Sequence, residues 1–380
     1  MADPSLCLFK SGAPGLEIWT VEVGLTLHGN LGIMTASDRR DSARIWFRAR
    51  EDSGQAVAPR PGLRLAYREF WDRPQRDFRK CQGQPFEADV RDCMGSDRFT
   101  MGGKALVSKV KPNGDLKLAI EQAVTAIGGF ERLVEPGDTI LVKPNFNTAD
   151  PAPASSDPQF IRAIIELLVE QGAHKVVLGE SSTISVSTRD TLERTGMLQA
   201  ATEAGALVTV FDEEDWVTVE TGGEFLKRVA VARAALEADK IVYACCLKTH
   251  RFADFTMSLK LAMGFVRPQD RLKMHLWRLR EKLVDLNLIL KPDLILMDAR
   301  LCFISGGPSK GTIREPGLVL ASGDRLGIDV EGIKIIQSYP DHTMCQSPWE
   351  VPMIQRAADL RLGATNEQDY QIIHSENAGR

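Results

Sequence analysis

Residues 241–247, Ile-Val-Tyr-Ala-Cys-Cys-Leu, form an unbroken apolar run that stops without transition at Lys248-Thr249-His250. A run this short, bounded by polar residues and without polar alternation, predicts a strand covered on both faces. Such strands belong to parallel sheets, in which crossover helices lie above and below. Ligand chemistry in those sheets gathers past the carboxyl ends of the strands, where Lys248, Thr249 and His250 would fall. A second apolar run then carries Lys260 among Leu259, Leu261, Ala262 and Met263 and closes at Gly264. Two lysines and a histidine within thirteen positions suggest a site for an anion.

The rest of the chain from residue 105 alternates the same two signals. Strands are predicted at 105–110, 139–142, 174–178, 206–211, 229–231, 294–297 and 318–321, and helices at 114–128, from Ser156 or Asp157 to 171, at 189–204 broken by Gly196, at 326–338 and at 349–362. His275 opens a further amphipathic segment in which Leu276, Leu279, Leu283, Leu286 and Leu290 recur at helical spacing. The fold class expected is α/β: a layered, mostly parallel sheet with helices on both faces, in one unit or two lobes. The acidic stretch 212–223 is expected to face solvent. The domain expected spans 101–363, followed by a polar tail, 364–380.

The first hundred residues read differently. They hold thirteen arginines and two lysines, and their hydrophobic periodicity is poor. Met101-Gly102-Gly103-Lys104 then leads directly into the first good strand. Two expectations stand for 1–100: a disordered arm, or an extension upstream of a natural start at Met101.

Composition excludes several classes. A formal net charge of −4 argues against a general nucleic-acid binder. No apolar run approaches the roughly 20 residues that span a bilayer, so no membrane partner is expected. No basic patch precedes an apolar core at the N-terminus, and a polar stretch follows the twin arginine Arg39-Arg40, so export is not indicated. Seven scattered cysteines, none in C-x-x-C spacing, fit reduced thiols in a cytoplasmic protein. Cys245-Cys246 read as small core residues, with a vicinal redox pair as the alternative.

Other polar residues cluster at predicted strand ends. Lys143 precedes Pro144, which biases it toward extended backbone, and Asn145 and Asn147 add amides; a polar turn is the plain alternative. Gly179-Glu180-Ser181 could supply a carboxylate and N–H groups to a ligand, or simply cap a glycine turn. A lysine in apolar surroundings, as Lys248 and Lys260 are, must find an anion or lose its proton; snorkelling at a helix end is the alternative for Lys260. His250 and His275 are candidate proton carriers or metal ligands. Asp298 ends an apolar strand, as a catalytic or metal-binding carboxylate does. Gly306-Gly307 lie in a tight loop that lacks the phosphate-loop pattern.

In order and approximate spacing, Lys143-Pro144-Asn145, Gly179-Glu180-Ser181, the 241–264 stretch, His275, Asp298 and Gly306-Gly307-Pro308 resemble the bacterial and archaeal family described as domain of unknown function 362. The resemblance runs from about Leu106 to Gly363. Many members add a ferredoxin-like segment with clustered cysteines. This chain has none, so a self-contained iron–sulfur cluster is not expected, while an iron–sulfur or redox partner protein is one the resemblance allows. The function expected is an enzyme acting on a small anionic carboxylate or phosphate compound. Lys248, His250, Lys260, His275 and Asp298 would be catalytic, and Lys143, Asn145, Gly179, Glu180, Ser181, Gly306 and Gly307 would bind ligand. A divalent metal on His250, His275 and Asp298 stays open. The alternative is a non-catalytic module that holds and delivers a metal, cofactor or cluster precursor.

Overall fold

The computed structural model describes residues 97–375 throughout and, upstream, only the backbone of short strands within 6–57. By internal contacts the chain divides into two units, Met1–Gln84 and Pro85–Arg380. In the first, Leu6–Ser11 pairs antiparallel with Ile18–Val23. Leu25–Leu27, Asn30–Ser37, Arg44–Arg50 and Ala56–Val57 form an antiparallel sheet of their own. The two expectations for 1–100 otherwise lie outside the described residues.

The second unit begins its main sheet with β1 (Lys104–Val110), followed by helix α1 (Leu116–Ala126), β2 (Thr139–Pro144), α2 (Pro158–Glu170) and β3 (Lys175–Glu180). Helices α3 (Thr188–Arg194) and α4 (Met197–Glu203) are separated by Gly196, which adopts a left-handed φ of 75°. Strand β4 (Leu207–Val210) ends this half. Next, β5 (Trp216–Glu220) and β6 (Arg228–Ala232) form a hairpin, so the acidic stretch is partly strand, although its charged residues stay at the surface. The core strand β7 (Lys240–His250) folds back into β8 (Asp254–Thr256), and a short helix, α5 (Ser258–Leu261), follows. Then come α6 (Pro268–His275), α7 (Leu279–Leu286), β9 (Leu294–Gly306), β10 (Gly311–Arg314), β11 (Leu318–Ser322), α8 (Arg325–Gln337), α9 (Pro352–Asp359) and β12 (Tyr370–Ser375).

Spatial order in the sheet is β4-β3-β2-β7-β9-β11-β1-β12. Strands β4, β3, β2, β7 and β9 run parallel; β11 is antiparallel to both neighbours, and β12 lies parallel to β1. The mostly parallel, layered α/β architecture is therefore the one observed. Alternate residues feed two cores. Ile140, Val142, Val242, Ala244, Leu294 and Leu296 pack against α1, α2 and α4, whereas Leu141, Tyr243, Cys245, Leu247, Ile295 and Met297 pack against α7, α8 and α9. Each buried aliphatic side chain contributes about 1.5–3 kcal/mol, and a strand burying both faces does so at every position. That is why no polar residue interrupts 241–247.

Three expectations need correction. The helical stripe begun at His275 is split: His275 ends α6, Arg278 turns left-handed (φ 52°), and Leu276 is 76% exposed rather than core-facing. The strand at 294–297 does not stop at Asp298 but continues to Gly306, because its second half is paired by β10. The tail is not merely polar: Tyr370 and Ile372 pack against the core, and β12 completes the sheet edge beside β1.

Candidate functional site

Glu180 ends β3, Lys143 stands one residue from the end of β2, and Lys248 and His250 lie at the end of β7. These three strands are immediate neighbours, and all run the same way. After β2 the chain builds outward through β3 and β4, then returns to place β7 on the other side of β2. Such a reversal leaves a crevice at the strand ends. Here it holds a cavity of about 330 Å³.

Lys143, Asn145, Glu180, Ser181, Lys248, His250, Lys260 and His275 all line it, together with Arg251, Thr256 and Arg271. The lysines differ in how they are held. Lys143 Nζ donates to Glu180 Oε2 at 2.6 Å and to the Pro144 carbonyl at 2.8 Å. Burial pushes both partners toward neutrality, each opposed by the other: the Lys143 ammonium is driven down and the Glu180 carboxyl up to about 7. Lys248 Nζ donates to the carbonyls of Ala154 (2.5 Å) and Pro308 (3.2 Å), leaving one N–H for the cavity. Burial lowers it to about 8. Lys260 Nζ has no hydrogen bond or ion pair among the described residues, and burial, Lys248 and Arg271 lower it to about 7.

The elements around Lys260 fix its backbone. Buried Asp329 on α8 accepts the N–H groups of Ser258 (2.9 Å) and Leu259 (3.0 Å), and Asn287 Nδ2 donates to the Leu259 carbonyl. A four-residue helical turn thus carries an otherwise unsupported lysine into the cavity.

The two histidines present opposite faces. His250 Nδ1 accepts the backbone N–H groups of Phe252 (3.1 Å) and Ala253 (3.2 Å), so the neutral ring carries its proton on Nε2. His275 Nδ1 lies 2.7 Å from the Arg271 carbonyl, which can only accept; the proton sits on Nδ1, and Nε2 keeps a lone pair. Burial first, then Lys260, His275 and Lys248, hold His250 far below its ordinary pKa. Burial also lowers His275, opposed by its hydrogen bond to the Arg271 carbonyl and reinforced by the charges of Lys260 and Arg271.

Arg271 was not anticipated. Its guanidinium donates to the Ser181 carbonyl at 2.9 Å and to Ser181 Oγ, which in turn donates to Asp212 at 2.7 Å. Its Nε stays buried without a partner, as do Asn145 Oδ1 and Thr256 Oγ1 in the same wall. An arginine on the polar helix 268–275 carries no apolar context to single it out in sequence.

Four expected residues fall elsewhere. Asp298 does not line the cavity: Arg300 binds both its oxygens, at 2.9 and 2.7 Å, and reaches across to Asp157. Gly179 serves packing, since a Cβ there would meet the Phe211 ring at 2.4 Å. Gly306 and Gly307 turn the chain at φ of 75° and 71°; a Cβ on Gly307 would lie 1.9 Å from the Thr249 carbonyl oxygen. They seat the loop whose Pro308 carbonyl holds Lys248, and are not themselves in the cavity wall. The metal set His250, His275 and Asp298 is accordingly not brought together. Among the described residues no three His, Cys, Asp or Glu side chains group as metal ligands. Cys245 and Cys246 are free, buried thiols whose burial raises both above their ordinary pKa.

Fold and site define a layered α/β protein with a cation-lined cavity at the carboxyl ends of three parallel strands. The chain belongs to the family described as domain of unknown function (DUF362), whose model matches residues 140–334. A thylakoid-associated protein of Synechocystis sp. is 26% identical over 235 residues, 60% of this chain and 72% of that one. Among solved structures, a crystal structure of a Thermotoga maritima protein aligns with a TM-score of 0.37 at 10% identity over 66% of this chain. The lactate racemase apoprotein of Thermoanaerobacterium thermosaccharolyticum aligns with a TM-score of 0.34 at 10% identity over 63%. The chain spans 60% and 57% of the lengths of those two structures. Among the described residues no helix is long and apolar enough to cross a membrane.

Proposed function

We propose that the cavity binds a small carboxylate or phosphate compound and that the protein is an enzyme acting on it. One imbalance carries this reading. Lys143, Lys248, Lys260 and Arg271 line the cavity against a single carboxylate, Glu180, which Lys143 already engages. Burying cations without counter-charge is costly, and an anionic ligand relieves that cost. Arg271 and Lys248 hold the anion, each with a donor still unused. The His275 Nε2 lone pair accepts a proton from the bound compound, and His250 Nε2–H donates a hydrogen bond to it.

Delivery of a metal or cofactor to a partner has less support, since the wall is rich in cations and its one carboxylate is occupied. The four free cysteines among the described residues support a cytoplasmic location.

The test is calorimetric titration of the purified protein at pH 6.5 with phosphate, lactate and malonate. At least one should bind, and Lys260→Met should weaken it by about tenfold or more, equivalent to about 1.4 kcal/mol, without lowering the melting temperature. Unchanged affinity in that variant would sink the proposal.

A further inference from the structure

The three cavity lysines do not have equivalent amines. Lys143 is locked to Glu180 and to a carbonyl, and Lys248 to two carbonyls; Lys260 alone reaches the cavity with no hydrogen bond or ion pair among the described residues. The turn that carries it is nevertheless anchored, through Asp329 and Asn287. A rigid base carrying an unengaged amine is the arrangement expected of a nucleophile rather than of a structural cation. Beside it, Lys248 and Arg271 offer donors to a carboxylate, and Thr256 and Asn145 present unpartnered oxygens.

We infer that Lys260 forms an imine with a 2-oxo acid whose carboxylate is held by Lys248 and Arg271. This deepens the anion-site reading and rests on it. Binding the carboxylate places the adjacent carbonyl carbon at the amine. The nitrogen lone pair attacks that carbon, a C–N bond forms as the C=O π bond breaks, and the oxygen takes up a proton to give a carbinolamine. Nitrogen then loses its remaining protons while the oxygen departs as water, leaving C=N; the His275 Nε2 lone pair takes protons from nitrogen and returns them to oxygen, and His250 Nε2–H donates a hydrogen bond to that oxygen. Nothing is oxidised or reduced, and water is the sole by-product. The depressed basicity of Lys260 supplies free amine near neutral pH.

The experiment incubates the full chain with pyruvate, reduces with sodium borohydride, and maps the adduct by intact mass and peptide mass spectrometry. Pyruvate binding is measured in parallel by calorimetry. The result expected is one adduct, on Lys260, formed at pH 7.5 at least about tenfold faster than on the exposed Lys273. It should vanish in Lys260→Arg, which keeps charge and length, and persist in Lys273→Arg. Pyruvate binding without an adduct on Lys260 would overturn the imine and leave the anion site standing. Adducts spread over surface lysines at equal rates would likewise overturn it. Absence of binding by pyruvate and by every anion tested would overturn both.

Discussion

Lys143 Nζ and Glu180 Oε2 meet at 2.6 Å across the ends of adjacent parallel strands, with side chains only 1% and 2% exposed. Removing one member of such a pair strands the other in a medium that cannot solvate it. Lys143→Met or Glu180→Leu alone should each cost about 3–5 kcal/mol in urea denaturation, and the double variant far less than the sum. Additive losses would show that the two side chains are not coupled.

Gly264 guards that pair. A Cβ at this position would lie 2.5 Å from Lys143 Nζ, so Gly264→Ala must push the ammonium off Glu180. We expect a loss of about 1–3 kcal/mol, and almost no further loss when Gly264→Ala is placed on a Lys143→Met background. An equal loss on both backgrounds would locate the clash elsewhere.

Anion affinity should fall as pH rises from 6 to 9. Lys260, lowered to about 7, and then Lys248, lowered to about 8, give up their charge across this window. Calorimetry in buffers of different ionisation enthalpy would also detect proton uptake on binding. Stability should move the other way: between about pH 7 and 10.5 the unfolded chain holds the Lys260 proton that the folded chain has released, so this residue makes stability rise with pH. Lys260→Met should flatten that slope, and an unchanged slope would assign it to other groups.

His250 carries a structural duty distinct from any proton transfer. Its Nδ1 accepts two backbone N–H groups in the turn between β7 and β8. His250→Ala leaves both without their acceptor and should cost about 1–3 kcal/mol. His250→Asn, whose amide oxygen reaches a similar place, should recover most of that stability while turnover or labelling stays impaired. Full recovery of both would reduce His250 to a turn residue.

At Gly307 a side chain would collide with the Thr249 carbonyl on β7. Gly307→Ala should displace the loop that presents the Pro308 carbonyl to Lys248 and weaken anion binding several-fold, with little change at Lys143 or Glu180. Wild-type affinity in this variant would disconnect the loop from the cavity.

The layered sheet could be read from residues 241–247 and from the alternation after residue 105, because burial on both faces demands uninterrupted apolar runs. Lys248 and Lys260 stood out for a related reason: a cation amid apolar neighbours has no local explanation. Arg271 stood among polar residues and gave no such contrast. Asp298 gave a false one, since a carboxylate in an apolar strand looks unpaired until Arg300, two positions on, is seen to fold back onto it. Gly179 and Gly307 were noticed for the right property, the lack of a side chain, but what needs that space is Phe211 and the Thr249 carbonyl rather than a ligand.

The amino-acid sequence alone determined the strands, most of the helices and the class of fold, since those follow from local hydrophobic period. Only the tertiary structure decided which polar groups share the cavity and which neutralise one another. Ion pairs such as Lys143–Glu180 join residues 37 positions apart through strand order, and strand order is set by how both faces of the sheet are buried, which no short stretch of sequence encodes.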